Sequence, residues 1–185
     1  DGSVVRLTDD PSIDEAPRYS PDGKYLSFVS NRAGRKHLWL IDNASGEKKK
    51  LVTEISNIMD LYDWSPDSQW IAIDVEPPGF GWRPRTVIVS VQTGRIVSVP
   101  APALDEMDYA TWAPSWSPDG RILLYSSYPL QTYNSSLKVL DLETEEITSL
   151  RDSLVQVDQI SWSPDNKQVA YFSIRSAAKE GVGQD

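Results

Sequence analysis

Apolar and polar residues alternate along many short stretches of the chain, as in β-strands with one buried face. In "KYLSFVS", Tyr25, Ser27 and Val29 fall on one face and the residues between them on the other. The short segment "APRYS" and the turn sequence "SPDG" precede this strand, and polar loops separate it from "HLWLID" and "EKKKLV". This stretch therefore predicts four short antiparallel strands joined by turns.

The beginning of this pattern recurs three more times. An aromatic residue, Ser-Pro-Asp, a small or amide residue and an apolar run appear as "YSPDGKYLSF", "WSPDSQWIAI", "WSPDGRILLY" and "WSPDNKQVAY". The motif serines are Ser20, Ser65, Ser117 and Ser163, with spacings of 45, 52 and 46 residues. Repeats of about 40 to 50 residues that each hold several short strands are typical of propeller blades.

We therefore predict an all-β fold, a β-propeller or partial propeller of about four four-stranded antiparallel blades, in a single domain. The last repeat lacks clear third and fourth strands, and the first ten residues match only a last strand. Such ends are expected of a ring closed by both termini and also of a piece of a larger propeller. The predicted repeats cover 11–53, 54–100, 101–151 and 152–185, and 1–10 is the last strand of a preceding or ring-closing blade.

The repeat resembles PD40, the WD40-like repeat of the TolB-like propeller family. The resemblance rests on the aromatic-Ser-Pro-Asp-Gly turn, on "YLSFVSNR", on "LWLIDNASGE" and on the "KLVTE" ending, and it covers nearly the whole chain. Similar repeats build the propeller of TolB and the propeller domains of tricorn-type and prolyl-oligopeptidase-type peptidases. The resemblance implies either a protein-binding scaffold in the periplasm, cell envelope or extracellular space, or a domain that filters peptidase substrates through its channel.

The same family implies six or seven blades in a complete propeller. About four repeats then imply part of a larger propeller, a small ring, or half-rings that self-associate. The sequence alone leaves these three arrangements open.

Composition narrows the classes of partner and of chemistry. The net charge of −9 argues against nucleic acid and anionic lipid, which attract basic surfaces. No apolar run approaches the roughly 20 residues of a membrane-spanning helix, so we predict no membrane insertion. The chain has no cysteine and one histidine, His37, on which any Ser-His-Asp triad would depend. We predict no catalytic residue, no cofactor and no metal ligand.

The repeated Ser-Pro-Asp motif is interpreted as a structural turn. Four copies without a neighbouring histidine do not make one catalytic constellation. Ser and Asp side chains, in contrast, commonly satisfy backbone groups inside tight turns. The aromatic residue before each motif serine is expected to pack between blades.

Positions that differ between the repeats are the candidates for function. The residues five places before the motif serines are Glu15, Asp60, Trp112 and Asp158. Three of four blades thus place a carboxylate near the channel mouth, which forms either a site for a cation or basic peptide or a solvated acidic rim. Arg18 and Asp63 should face the channel, where they could pair with each other or with a ligand.

Two loops between second and third strands carry further aromatic residues. "EPPGFGWRPR" contains Phe80, Trp82 and Arg83, and "SYPLQTYNSSL" contains Tyr128 and Tyr133. Exposed aromatic residues beside arginine are typical anchors of protein interfaces, although Trp82 could instead fold over a neighbouring blade. We therefore predict a non-enzymatic module that binds a protein or peptide through the loop face and channel mouth. The alternative is the propeller domain of a peptidase whose catalytic domain lies outside this chain.

Overall fold

The computed structural model describes residues 2, 4–52, 55, 57–76, 84–99, 109–129 and 134–174. Within these ranges the regular elements are β-strands, and no helix is long and apolar enough to cross a membrane. The strands are β1 (Asp14–Tyr19), β2 (Tyr25–Ser30), β3 (His37–Asp42), β4 (Lys48–Lys50), β5 (Ile58–Trp64), β6 (Trp70–Val75), β7 (Arg85–Ser90), β8 (Ile96–Ser98), β9 (Tyr109–Trp116), β10 (Ile122–Pro129), β11 (Asn134–Asp141), β12 (Ile147–Trp162) and β13 (Val169–Ile174).

These strands form three antiparallel sheets. The first holds β1 to β4 and the second β5 to β8, each in chain order, and the third has the order β13-β12-β11-β10-β9. The first strands of successive repeats contact one another, β1 with β5, β5 with β9, and β9 with β12. These four inner strands thus surround a common centre, as in consecutive blades of a propeller. The chain is an all-β partial β-propeller, as the repeats predicted.

Two parts of the chain differ from the prediction. The strand β12 runs without a break from the third predicted repeat into the fourth, pairing first with β11 and then with β13. It changes neighbours through pairing irregularities, with positive φ at Ser153 and Gln156. Residues 2 and 4–10 form no strand. The division into four repeats remains a prediction.

The Ser-Pro-Asp motif forms the same turn in all four copies. The Ser65 hydroxyl donates to Asp67 Oδ1 (2.6 Å) and accepts from the backbone N–H of Trp70 (2.9 Å). The other three motif serines make the same pair of bonds. The residues after the motif aspartates have positive φ: Gly23, Ser68, Gly120 and Asn166. Small and amide residues tolerate that conformation best, and the predicted structural role of the motif is confirmed.

Hydrophobic side chains fill the space between neighbouring sheets. One buried cluster joins the first and second sheets, and another joins the second and third. Val29 of β2 belongs to the first of these clusters. Leu26 and Phe28 form a separate cluster with Ile41 on the opposite face of the first sheet. The predicted alternation of β2 is therefore confirmed.

The aromatic residues before the motif serines are packed in three of the four turns. Trp64 and Trp116 are buried in the clusters between sheets, and Trp162 is half-buried on the third sheet. The indole of Trp64 also donates to the Ser27 hydroxyl of the first sheet (2.8 Å). Tyr19 corrects the general expectation, because its side chain is 64% exposed. No sheet of the described chain packs before β1 to cover it.

Candidate functional site

The inner strands line a concave surface that contains three adjoining cavities. Their volumes are about 430, 460 and 550 Å³, and Leu61 of β5 lines all three. Each inner strand has an irregular pairing with its neighbour. Ala16, Ala113 and Gln159 have positive φ and stand four residues before their motif serines. Bulges of this kind redirect side chains, and here they lie beside the positions predicted to face the channel.

The predicted ring of carboxylates is partly neutralised by a lysine. Lys36, in the loop before β3, contacts Glu15 Oε1 (2.5 Å) and Asp60 Oδ1 (3.2 Å). Two of the three carboxylates thus share one cation supplied by the protein. Across the described ranges, no group of three or more His, Cys, Asp and Glu residues is arranged to hold a metal ion.

The third carboxylate, Asp158, lies in a different environment, which we call the aromatic cavity. It is the cavity of about 430 Å³ lined by Leu61, Trp112, Ser126, Tyr128, Ser135, Gln156, Val157, Asp158 and Gln159. Asp158 accepts a hydrogen bond from the side-chain amide of Gln156 (3.0 Å). Burial raises the pKa of Tyr128 to about 12, and the charges of Asp74 and Asp158 contribute to the rise. The Tyr128 phenol is therefore neutral at pH 7.

Arg18 and Asp63 both line the second cavity, of about 460 Å³. Asp63 Oδ2 accepts the backbone N–H of Trp116 (2.8 Å), which ties the second sheet to the third. Burial raises the pKa of Asp63, while that hydrogen bond and the charge of Arg18 oppose the rise. Arg18 lies over the ring of Tyr62, 5.2 Å from its centroid. Among the ion pairs of the described residues, none joins Arg18 to Asp63.

A buried carboxyl group that was not predicted from the sequence is Asp74 of β6. Its oxygens accept hydrogen bonds from Thr86 Oγ1 (2.6 Å) and from the backbone N–H of Ala113 at the β9 bulge (2.7 Å). Burial raises the pKa of Asp74 to about 7, and the two hydrogen bonds oppose the rise. The sequence does distinguish Asp74, because the corresponding positions of the other repeats hold the uncharged residues Val29, Ser126 and Phe172. A lone Asp there indicates a specific polar contact.

The remaining candidates are four loop residues and the histidine. Phe80, Trp82, Arg83 and Tyr133 lie outside the described residues. His37 is buried, and its Nδ1 lies 2.7 Å from the backbone oxygen of Arg35. That ring is engaged in a local contact.

Comparisons with known proteins give the same architecture. No protein-family model matches the chain. The uncharacterized peptidase YuxL of Bacillus subtilis is 27% identical over 169 residues, covering 73% of this chain and 25% of its own length. The Tol-Pal system protein TolB of Syntrophus aciditrophicus is 36% identical over 50 residues, covering 27% of this chain and 11% of its own.

A solved structure extends this likeness to most of the chain. The crystal structure of TolB from Acinetobacter baumannii superposes with a TM-score of 0.68 at 16% identity, covering 89% of this chain and 39% of TolB. The chain thus spans well under half the length of each of these three proteins. Together with the three sheets and their central inner strands, the comparisons show a TolB-like β-propeller fold.

Proposed function

We propose that the chain is a non-enzymatic scaffold module that binds a protein or peptide partner through its concave face. The observation that carries the proposal is the set of three adjoining cavities on the inner strands. Arg18 and Asp63 line one of them, and Trp112, Tyr128 and Asp158 line another. Aromatic and charged side chains in concave sites commonly anchor partners. The acidic net charge of −9 favours such partners over nucleic acid.

The likeness to TolB supports a protein as the partner. The curated TolB relative is named as a component of the Tol-Pal system, which indicates assembly with other proteins. On the same basis we propose a location in the periplasm or elsewhere in the cell envelope. The loop residues Phe80, Trp82, Arg83 and Tyr133 are proposed to extend the binding surface beyond the cavities.

A second candidate function is the propeller domain of a peptidase. The observation that favours it is the match to YuxL, of which the chain spans 25%. In that arrangement the concave face would meet substrate peptides on their way to a catalytic domain outside this chain. The partner would then be a set of short peptides and not one folded protein.

A photo-crosslinking experiment tests both candidates. A benzoylphenylalanine residue replaces Ser161, which is exposed and lines the second cavity. The matched control replaces Ser98, which is exposed on the edge strand β8. We expect one discrete protein adduct from position 161 and none from position 98. Adducts with many short peptides at 161 would favour the peptidase domain, and equal adducts at both positions would contradict binding by the concave face.

A further inference from the structure

We propose that the aromatic cavity recognises a cationic side chain, lysine or arginine, of the bound peptide or protein. This inference rests on the proposed function and specifies the chemistry of its partner. Three features of the cavity carry it: a carboxylate without a cation, two aromatic side chains and a buried hydroxyl. Its volume of about 430 Å³ lies in the usual range for sites that enclose a small group.

The charge of Asp158 is not compensated within the described residues. Glu15 and Asp60 share Lys36, whereas no ion pair of the described chain includes Asp158. Its hydrogen-bond donor is the neutral amide of Gln156. Asp158 is half-buried, so its field is screened less than that of a fully exposed carboxylate. An incoming cation is the complementary group.

Two aromatic side chains make the same cavity suitable for a cation. Trp112 and Tyr128 line it together with Asp158. Ammonium and guanidinium groups are attracted to the faces of such rings, most strongly to tryptophan. Trp112 occupies the position at which the other three repeats have carboxylates. At this position the channel mouth therefore has an aromatic side chain, Trp112, beside the carboxylate of Asp158.

A buried hydroxyl provides a third recognition group. Ser126 is 1% exposed, lines the aromatic cavity, and its Oγ has no hydrogen-bond partner in the described structure. Buried polar atoms are rarely left without a partner unless a ligand or water completes them. A serine hydroxyl can accept a hydrogen bond from an ammonium or guanidinium N–H. The bound cation therefore pairs with the Asp158 carboxylate and donates a hydrogen bond to Ser126 Oγ.

Calorimetry with blocked tripeptides tests whether the aromatic cavity binds a lysine or arginine side chain. The probes are acetyl-Ala-Lys-Ala-amide and its arginine counterpart, and the neutral controls replace the central residue with norleucine or citrulline. We expect the charged peptides to bind about tenfold more tightly or better. Asp158→Asn should abolish this preference. Asp152→Asn, the same substitution on an exposed part of the same strand, should retain it.

The variant Ser126→Ala distinguishes a role of Ser126 in binding the cation from a role in folding. Because its hydroxyl has no partner in the described structure, the variant should weaken binding of the lysine peptide severalfold without lowering the melting temperature. A purely structural serine would instead lower the melting temperature and leave the preference intact.

Three outcomes would overturn the inference: no measurable binding of the charged blocked peptides, equal binding of the lysine and norleucine peptides, or an unchanged preference in Asp158→Asn. If crosslinking at position 161 persists in any of these cases, the proposed function stands and only the cationic ligand is rejected. If crosslinking at that position also fails, the concave face itself is rejected as a binding surface.

Discussion

At the scale of single residues, the carboxyl group of Asp74 couples the fold to pH. Burial raises its pKa from an ordinary value of 3.8 to about 7. The folded state thus holds this proton more tightly than the unfolded state does. The contribution of Asp74 to the free energy of unfolding should therefore fall as the pH rises from about 4 to about 7 and then level off. Urea unfolding across that range measures the slope.

The variant Asp74→Asn isolates this contribution. In Asp74 both oxygens accept, one from Thr86 Oγ1 and the other from the Ala113 N–H. In the variant the amide oxygen can still accept the Ala113 N–H, and the neutral NH2 group can donate to Thr86 Oγ1. We expect Asp74→Asn to remove most of the decline in stability between about pH 4 and pH 7. Asp60→Asn, at an exposed carboxylate, should leave that decline in place. An unchanged slope in Asp74→Asn would show that other groups cause it.

The motif serines provide a second prediction at this scale. Ser65 is 2% exposed, and within its turn the hydroxyl donates to Asp67 Oδ1 and accepts from the Trp70 N–H. Ser65→Ala removes the acceptor of the Trp70 N–H and one of the two donors to Asp67 Oδ1, so it should lower the free energy of unfolding by about 1–3 kcal/mol. Ser163→Ala, in the half-buried fourth turn, should cost less because water can replace the hydroxyl. Equal losses measured by denaturant titration would contradict this dependence on burial.

At the scale of the strands, the bulges of the inner strands carry backbone strain. Gln159 of β12 has φ of 51°, which β-branched side chains strongly disfavour. We expect Gln159→Val to destabilise the fold by about 1–3 kcal/mol. Ser161→Val, at an exposed residue two positions further along the same strand, should be nearly neutral because valine suits ordinary strand backbone. Thermal unfolding gives the melting temperatures of the two variants, and similar values would contradict backbone strain at Gln159.

The sequence predicted the strands better than it predicted their interruptions. Alternation and turn residues located β2 and β3 because both signals are local. The continuous course of β12 was not predicted, because its change of partners depends on bulges that alternation does not reveal. The contact of Lys36 with Asp60 joins residues 24 positions apart through a loop, so no local pattern indicates it. The partly neutralised rim could be found only from the structure.

At the scale of the whole molecule, the sheets follow one another around the inner strands, and each buries one face of its neighbour. This arrangement explains why the repeated residues specify the scaffold while the differing residues collect at the concave face. Trp112 and Asp74 depart from the repeat, and they lie at or beside the same cavity as Asp158. The repeats thus predicted positions that line this cavity, but the chemistry of the cavity depends on contacts between blades.

The last strand of the third sheet, β13, leads to the final prediction, that the chain self-associates. In the described part of the chain β13 ends this sheet, and Tyr171 and Phe172 are 36% and 57% exposed. Unpaired strand edges with exposed aromatic residues favour association with another chain. We expect light scattering to give a mass that rises with concentration above 20.7 kDa. Phe172→Lys should return it to the monomer value, whereas Leu150→Lys, at a residue of β12 that is 53% exposed, should not. A concentration-independent monomer mass for the unmodified chain would contradict association through β13.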